Sequence, residues 1–400
     1  MLPSLGGALG AAGDSFTYGG LQEKYLDFAF PQAAILLGAQ AFSSKSGDLI
    51  IGDIHVEVTC GFESSVASFR IYDVFDSETG SFAFQQVAKQ VVMGNSLEIQ
   101  LGYSDKLSPV FVGFVSGVAF GYEPEGLPYI EVTGMDVKGL MMGGVYSAQL
   151  KATTYSAAVR EILDRTGQDS LKQLGGIKEL SISDTPDAKR SSAGGKASAE
   201  TVEMTAESDY EFVVKAAKRF NFEFFVDRGR VLFRPAKSDA VVQGKLGIRQ
   251  GIQGFHIAYS ITGVVGSIEA RAMDPGKGQL ISAKSSFHNA ISTANKAKSL
   301  VGKGSKVYVD ATISSKEDAE SRVASLMERM SYRLGSLEAT CVGIPELTAG
   351  RFIDVSGMGV PVDNRFYLTS VIHDFSSDSG YRTRIEGCAA KIQTTAPAGL

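Results

Sequence analysis

Four histidines and one histidine–aspartate pair are the first places to look for chemistry in this chain of 400 residues. His55, His256, His288 and His373 lie far apart in sequence, and no zinc-protease spacing links any two of them. His373-Asp374 could be a base beside its orienting acid. It falls on an expected strand, where an edge or cross-strand role is the plainer reading. Gly276-Lys277 and Gly302-Lys303 lack the frame of a phosphate-binding loop and its following Ser or Thr. Gly113–Gly117 reads G-F-V-S-G, with Ser116 one place away from a hydrolase elbow. Glu123 and Glu125 stand beside Pro and Gly in a turn, where solvent exposure accounts for them. Asp14 and Asp27 carry no signal. Cys60, Cys341 and Cys388 are at no metal-ligand spacing and are read as buried free thiols. The lysines between Lys284 and Lys306 are read as a solvated loop. No catalytic, cofactor-binding or metal-ligating residue is assigned, no cofactor is expected, and the chain is not expected to be an enzyme.

Composition narrows the class further. Hydrophobic residues make up 44% and charged residues 21%, the balance of a globular protein. The net charge of -5 leaves no basic excess, so specific nucleic-acid binding is not expected. Tryptophan is absent, which disfavours a carbohydrate-stacking site. The N-terminus lacks a signal-peptide pattern. The longest apolar stretch, Phe28–Leu37, contains Pro31 and is too short to span a membrane, which takes about 20 apolar residues. Synthesis and folding in the cytoplasm are therefore expected, with no membrane span. The length predicts roughly two to four domains.

The elements that must position any function follow from periodicity. Ile54–Thr59 and Leu97–Leu101 alternate strictly, and Val110–Phe120 and Tyr129–Thr133 add two strands. A sheet with one buried face that curls into a small barrel is expected, interrupted by a short helix over 84–91. Thr154 caps a helix running to Arg165. Ser208 and Glu211 have capping-box spacing, ahead of a helix carrying Phe212, Val213, Ala216, Ala217 and Phe220. Phe222–Val226, a turn at Asp227-Arg228-Gly229 and Val231–Phe233 make a hairpin. Ser314 and Glu317 box a further helix with a stripe of Ala319, Val323, Leu326, Met327 and Met330. Strands follow at 337–342, 352–355, 366–375 and 381–387.

The fold class expected is α+β and mostly β. It has two small antiparallel tube-like β-barrels, a small mixed αββ domain and connecting helices. The boundaries are 1–24 for a flexible segment and 25–150 for the first barrel. The α/β domain covers 151–236, with a flexible loop over 168–206. The second barrel covers 237–390 with an inserted helix at 315–334, and 391–400 is a tail. Two stretches echo each other. Phe111–Val118 followed by Tyr129–Gly134 resembles Phe366–His373 followed by Tyr381–Gly387, each a long aromatic-led strand, a polar turn and a shorter strand closed by Gly.

Two signatures carry a resemblance. One is Glu207–Phe212 with Ala216–Phe220 and the hairpin ending Leu232-Phe233. The other is Gly343–Val355 with Phe366–His373 and Gly380–Thr383. Together with Tyr129–Asp136, they make the chain similar, over about residues 45–390, to the phage late control D family. The resemblance extends to the hub half of type VI secretion spike proteins. It implies a baseplate hub: a homotrimer whose two barrels per chain form a pseudo-sixfold ring between a hexameric tail tube protein and a trimeric spike protein, beside other baseplate proteins. The expected location is the bacterial cytoplasm during assembly and then the baseplate of the particle. Only 13 residues follow Gly387, so the spike is expected on a separate polypeptide. The alternative is a tail-associated cell-wall hydrolase.

Overall fold

The structure, a computed structural model, describes residues 15–38, 40–43, 50–82, 87–122, 126–165, 171–187, 201–274, 277–287, 295–311, 313 and 315–393. The alternating segments become strands. The first half contains β1 (Pro31–Leu37), β2 (Gln40–Ser43), β3 (Ile50–Thr59) and β4 (Val66–Tyr72). A minimal hairpin, β5 (Phe75–Asp76) and β6 (Ser81–Phe82), precedes β7 (Ser96–Tyr103), β8 (Lys106–Gly121) and β9 (Tyr129–Met135). The middle unit has β10 (Tyr146–Gln149), β11 (Glu179–Ile182), β12 (Glu203–Glu207), β13 (Phe222–Asp227) and β14 (Arg230–Pro235). The last part has β15 (Val242–Leu246), β16 (Ile252–Tyr259), β17 (Ser267–Asp274), β18 (Gln279–Ser286) and β19 (Ser305–Val309). It ends with β20 (Gly335–Val342), β21 (Phe352–Val355), β22 (Asn364–Ser376) and β23 (Gly380–Ala389).

Both β-rich halves belong to one 13-stranded sheet, in the order β16-β20-β23-β22-β3-β4-β9-β8-β7-β1-β2, with β21 and β15 beside the start of β22. No pairing among the described strands closes either half into a barrel. The halves are joined instead where β22 meets β3, and a single apolar core runs through both, including Phe69, Ile99, Val132, Leu368, Val371 and Ile385.

The middle unit has its own core. Ser208 caps the helix Asp209–Phe220 with a complete capping box to Glu211. The buried face of that helix, Phe212, Val213, Ala216 and Ala217, packs with Ile162, Phe224 and Phe233. Thr154 caps the helix Tyr155–Leu163. The β13–β14 hairpin turns as the sequence predicts, with Gly229 at φ 84°.

Several expectations are altered. The inserted helix, Lys316–Ser331, is capped by Ser315, whose side chain accepts from the Asp318 amide; Ser314 lies outside the described residues. The helix covers a three-stranded sheet, β18-β17-β19, through Ala319, Val323, Met327 and Met330. Part of the 284–306 segment read as a loop thus belongs to β18, to the helix Asn295–Lys303 and to β19. Within the segment expected to be flexible, Thr17 caps a helix, Tyr18–Lys24, with Leu21 buried. The Phe16 amide donates to Gln243 O at 2.7 Å, so the chain's own second half holds this segment. Val87–Gln90 form a turn rather than the expected helix. Residues 83–86, Glu123, Glu125, Gly276, His288 and Asp14 lie outside the described residues, as do residues 188–200 and 394–400.

Candidate functional site

The described residues singled out for chemistry are scattered, and local structure accounts for Ser116, His373, Cys341 and Cys60. Ser116 occupies a bulge where β8 pairs with β9, and its Oγ donates to Thr133 O at 3.2 Å. His373 and Asp374 point to opposite faces of β22, as successive strand residues must. His373 is fully in the core, with Nδ1 2.8 Å from Tyr381 Oη and 3.3 Å from Thr383 Oγ1. Burial, reinforced by the charge of Arg228, pushes its pKa down to about 3, so it is a neutral core imidazole at physiological pH. Cys341 is buried, and burial raises its pKa to about 12. Burial does the same for Cys60, the nearby Glu223 carboxylate adding to it. Among the described residues, no three His, Cys, Asp or Glu side chains gather where they could hold a metal ion. No described helix is long and apolar enough to cross a membrane.

What the structure does assemble is a seam. β22 pairs antiparallel with β3 from Ser370 opposite Thr59 to Phe375 opposite Ile54. On the core side, Ile54, Val56, Val58, Val371 and His373 are all buried. On the outer side, His55 Nδ1 lies 2.7 Å from Asp374 Oδ1, and Arg384 Nε donates to Asp374 Oδ2 at 3.1 Å. The hydrogen bond to Asp374 raises the His55 pKa above its ordinary 6.5, against partial burial. Burial alone would raise Asp374, but the His55 hydrogen bond and the Arg384 charge together bring it below 3.8.

On either side of this seam, the same arrangement appears twice. In the first half, Phe114 lies opposite Met135, a bulge follows, and Gly117 lies opposite Thr133. In the second, Tyr367 lies opposite Cys388, a bulge follows, and Ser370 lies opposite Glu386. One fixed sequence offset superposes every pair. The bulged residue is a hydroxyl in both, and Thr369 Oγ1 donates to Glu386 O at 3.3 Å just as Ser116 does to Thr133 O. Gly134 and Gly387 are counterparts. A side chain at Gly134 would run into Leu97, and one at Gly387 would meet Tyr367 O. The arrangement, though not the offset, extends to the neighbouring strands, since Ser96 of β7 lies opposite Phe114 as Phe352 of β21 lies opposite Tyr367. β4 and β3 flank β9 as β20 and β16 flank β23. The halves differ at their far edge, where β1 runs antiparallel to β7 but β15 runs parallel to β21. The echo read from sequence lies on these same two hairpins, but its leading strands were matched two residues out of this register. Bulges carry no signature that alternation alone reveals.

The second resemblance motif has a local explanation. Gly343–Gly350 is a loop clamped between the second half and the β13–β14 hairpin. A side chain at Gly343 would strike Tyr381, and one at Gly350 would strike Phe225. Arg228 Nη2 donates to the carbonyls of Pro345 (2.9 Å) and Glu346 (2.8 Å). Thr348 Oγ1 donates to Asp227 Oδ1 at 3.0 Å. The sequence reading missed a buried pair, Asp136 and Lys138, whose charged atoms are 3.7 Å apart. Lys138 Nζ also donates to the carbonyls of Gly61 (3.3 Å) and Glu63.

No family model matches the chain, and no curated protein sequence does. Solved structures do match. The 43 kDa tail protein of prophage MuSo2 from Shewanella oneidensis is 14% identical with a TM-score of 0.62, over 90% of this chain and 98% of that one. The tail protein from Neisseria meningitidis MC58 is 13% identical, with a TM-score of 0.60 over 90% and 97%. An Escherichia coli type VI secretion component, described as structurally similar to the bacteriophage T4 tail proteins gp27 and gp5, is 12% identical. Its TM-score is 0.51 over 87% of this chain and 76% of that one. The fold of this chain is therefore one shared by phage tail proteins and a type VI secretion component.

Proposed function

We propose that the chain is a structural, non-catalytic hub of a contractile phage tail or a tail-like injection device. Three copies form a ring that joins a hexameric tail tube to a trimeric spike within the baseplate. The observation that carries this reading is the repeated strand arrangement on either side of the seam. A chain with two equivalent β-rich modules presents six similar edges when three copies close a ring, and cyclic closure is the usual outcome for identical subunits. Such a ring meets a sixfold partner with its modules and a threefold partner with whatever occurs once per chain. The fold shared with tail proteins supports the same reading, and the local roles of His373, Ser116 and Cys341 give no support to an enzyme. The test is the mass of the purified chain by light scattering, alone and with spike and tube proteins from the same gene neighbourhood. A trimer that binds both is expected. A chain that stays monomeric with both partners present sinks the reading, and turnover of cell-wall polymer would replace it with a hydrolase.

A further inference from the structure

The unit of β17, β18 and β19 has an apolar core on one side only. Ile268, Ala270 and Ala272 of β17 are buried and, with Ile281, Ala283 and Tyr308 of its neighbours, share that core with the helix Lys316–Ser331. Successive strand residues point to opposite faces, so the residues between these form a second face. The register fixes its rows: Leu280 beside Met273, then Ser282, Arg271 and Val309, then Lys284, Glu269 and Val307. Water reaches this face. Val309 is 83% exposed, Met273 61%, Leu280 59% and Val307 50%. Positive charge is concentrated here as well. The chain carries a net charge of -5, yet from Pro275 to Val309 it has six lysines and no Asp or Glu. Lys277, Lys284, Lys303 and Lys306 among them are described and exposed. Lys277 lies in the β17–β18 turn, at the Leu280 end of the face, and Lys303 and Lys306 lie around the start of β19, just before Val307.

We propose that this face docks an acidic protein partner: a surface of another component of the same particle, in which apolar side chains are edged by Asp and Glu. Met273, Leu280, Val307 and Val309 meet the apolar part, and the lysines meet the carboxylates. The proposal rests on the hub reading above, which gives the chain neighbours in a particle, and it names what one of them must present.

Three observations select this occupant. First, a merely solvated face has no use for four exposed apolar side chains in adjoining rows. Exposed apolar surface rimmed by polar groups marks a contact site, and covering it removes apolar area from water. Second, the lysines set the sign of the partner, because complementary charge steers encounter and rejects like-charged surfaces. Third, the middle of the face separates a protein from other polyanions. Arg271 Nε donates to Glu269 Oε1 at 2.7 Å, so the one arginine of these rows is already neutralised, and its carboxylate partner stands beside Val307. That centre offers a phosphate nothing, and the rows hold no aromatic side chain on which a base could stack. An anionic bilayer would have to take the ion pair into its interface along with the apolar groups. A protein surface can set its own polar groups opposite the pair and its carboxylates at the rim.

The test is Val309→p-benzoylphenylalanine in cells that assemble the particle, with the adducts formed on irradiation identified by mass spectrometry. One protein is expected, joined at a segment that carries Asp or Glu beside apolar residues. Lys284→Glu with Lys306→Glu in the same chain should cut that adduct about tenfold or more, and Lys284→Arg with Lys306→Arg should keep it. All three positions are exposed, so each variant should keep the mass of the unmodified chain by light scattering. No protein adduct from particles that contain the chain, an adduct at a segment without carboxylates, or equal adducts in the two double variants overturns the docking surface and leaves the hub reading standing. A chain absent from particles overturns both. Two further arms use the purified chain, one with phosphatidylglycerol vesicles and one with a short DNA duplex. Neither should bind it at physiological salt, and binding that Lys284→Glu with Lys306→Glu abolishes overturns the choice of a protein.

Discussion

His55 and Asp374 couple the two halves through a pair whose charge state depends on pH. The His55 pKa is raised in the folded chain, so its contribution is fully present below the ordinary value of 6.5 and is lost as pH rises through the raised value. The Asp374 pKa is lowered, so its contribution is present above 3.8 and is lost as pH falls through the lowered value. The seam should hold best between those limits. Melting followed across pH should therefore show the chain losing stability as pH climbs past 6.5, and His55→Gln should flatten that slope. A variant that keeps the wild-type slope would show that His55 does not couple the halves. Asp136 and Lys138 behave differently because water is excluded from both. Lys138→Met leaves a buried carboxylate that still accepts the Ser65 amide at 2.8 Å but has lost its counter-charge. Breaking such a pair costs about 3–5 kcal/mol. Urea denaturation should show a loss of that order, and Asp136→Asn added to Lys138→Met should recover part of it.

At the scale of elements, the helix Lys316–Ser331 separates what sequence periodicity resolves from what it does not. The 3.6-residue stripe correctly picks Ala319, Val323, Met327 and Met330, which are buried against β17 and its neighbours. It also picks Leu326, which is only partly buried at the edge of that core. Val323→Asp should therefore destabilise this unit by about 2–5 kcal/mol, since the carboxylate has no partner there. Leu326→Asp should cost clearly less, and equal losses in thermal melts would show that the helix is rotated from this placement. The same contrast explains the rest of the reading. Strands with one wet face, such as β3, β7, β9 and β22, are legible because alternation reports a buried side. The capping box at Ser208 is legible because it is local. β18 and β19 are not, since their residues alternate weakly and are interleaved with Lys and Ser, whereas β17 does alternate, with Ile268, Ala270 and Ala272 buried between Glu269 and Arg271. The seam is not legible at all. It depends on pairing between residues more than 300 positions apart, as His55 with Asp374, and no local period encodes such a contact.

At the scale of the whole molecule, the repeated module makes a prediction about shape. Six similar β-rich edges from three chains would give a ring whose inner sheet follows sixfold spacing. The additions to the modules occur once per chain and cannot follow that spacing. One is the middle unit, which follows β9. The other is the unit of β17–β19 with the helix Lys316–Ser331, inserted between β16 and β20, where the first half has only the short link from β3 to β4. The two additions touch each other: Asn221 Nδ2 donates to Glu328 Oε2 at 2.9 Å, and Arg322 Nη1 donates to Lys218 O at 2.9 Å. They should therefore appear as one lobe per chain. Particle images of the assembled ring should show a core close to sixfold carrying three outer lobes. Deletion of residues 261–333, with a short turn joining Ser260 to Leu334, should shrink each lobe and leave the core unchanged. The junction is feasible because the Ser260 amide already donates to Leu334 O at 2.9 Å. Six outer lobes, or a core with only threefold modulation, would mean that the two modules do not occupy equivalent places, and the ring would need a different account of how it matches a sixfold tube.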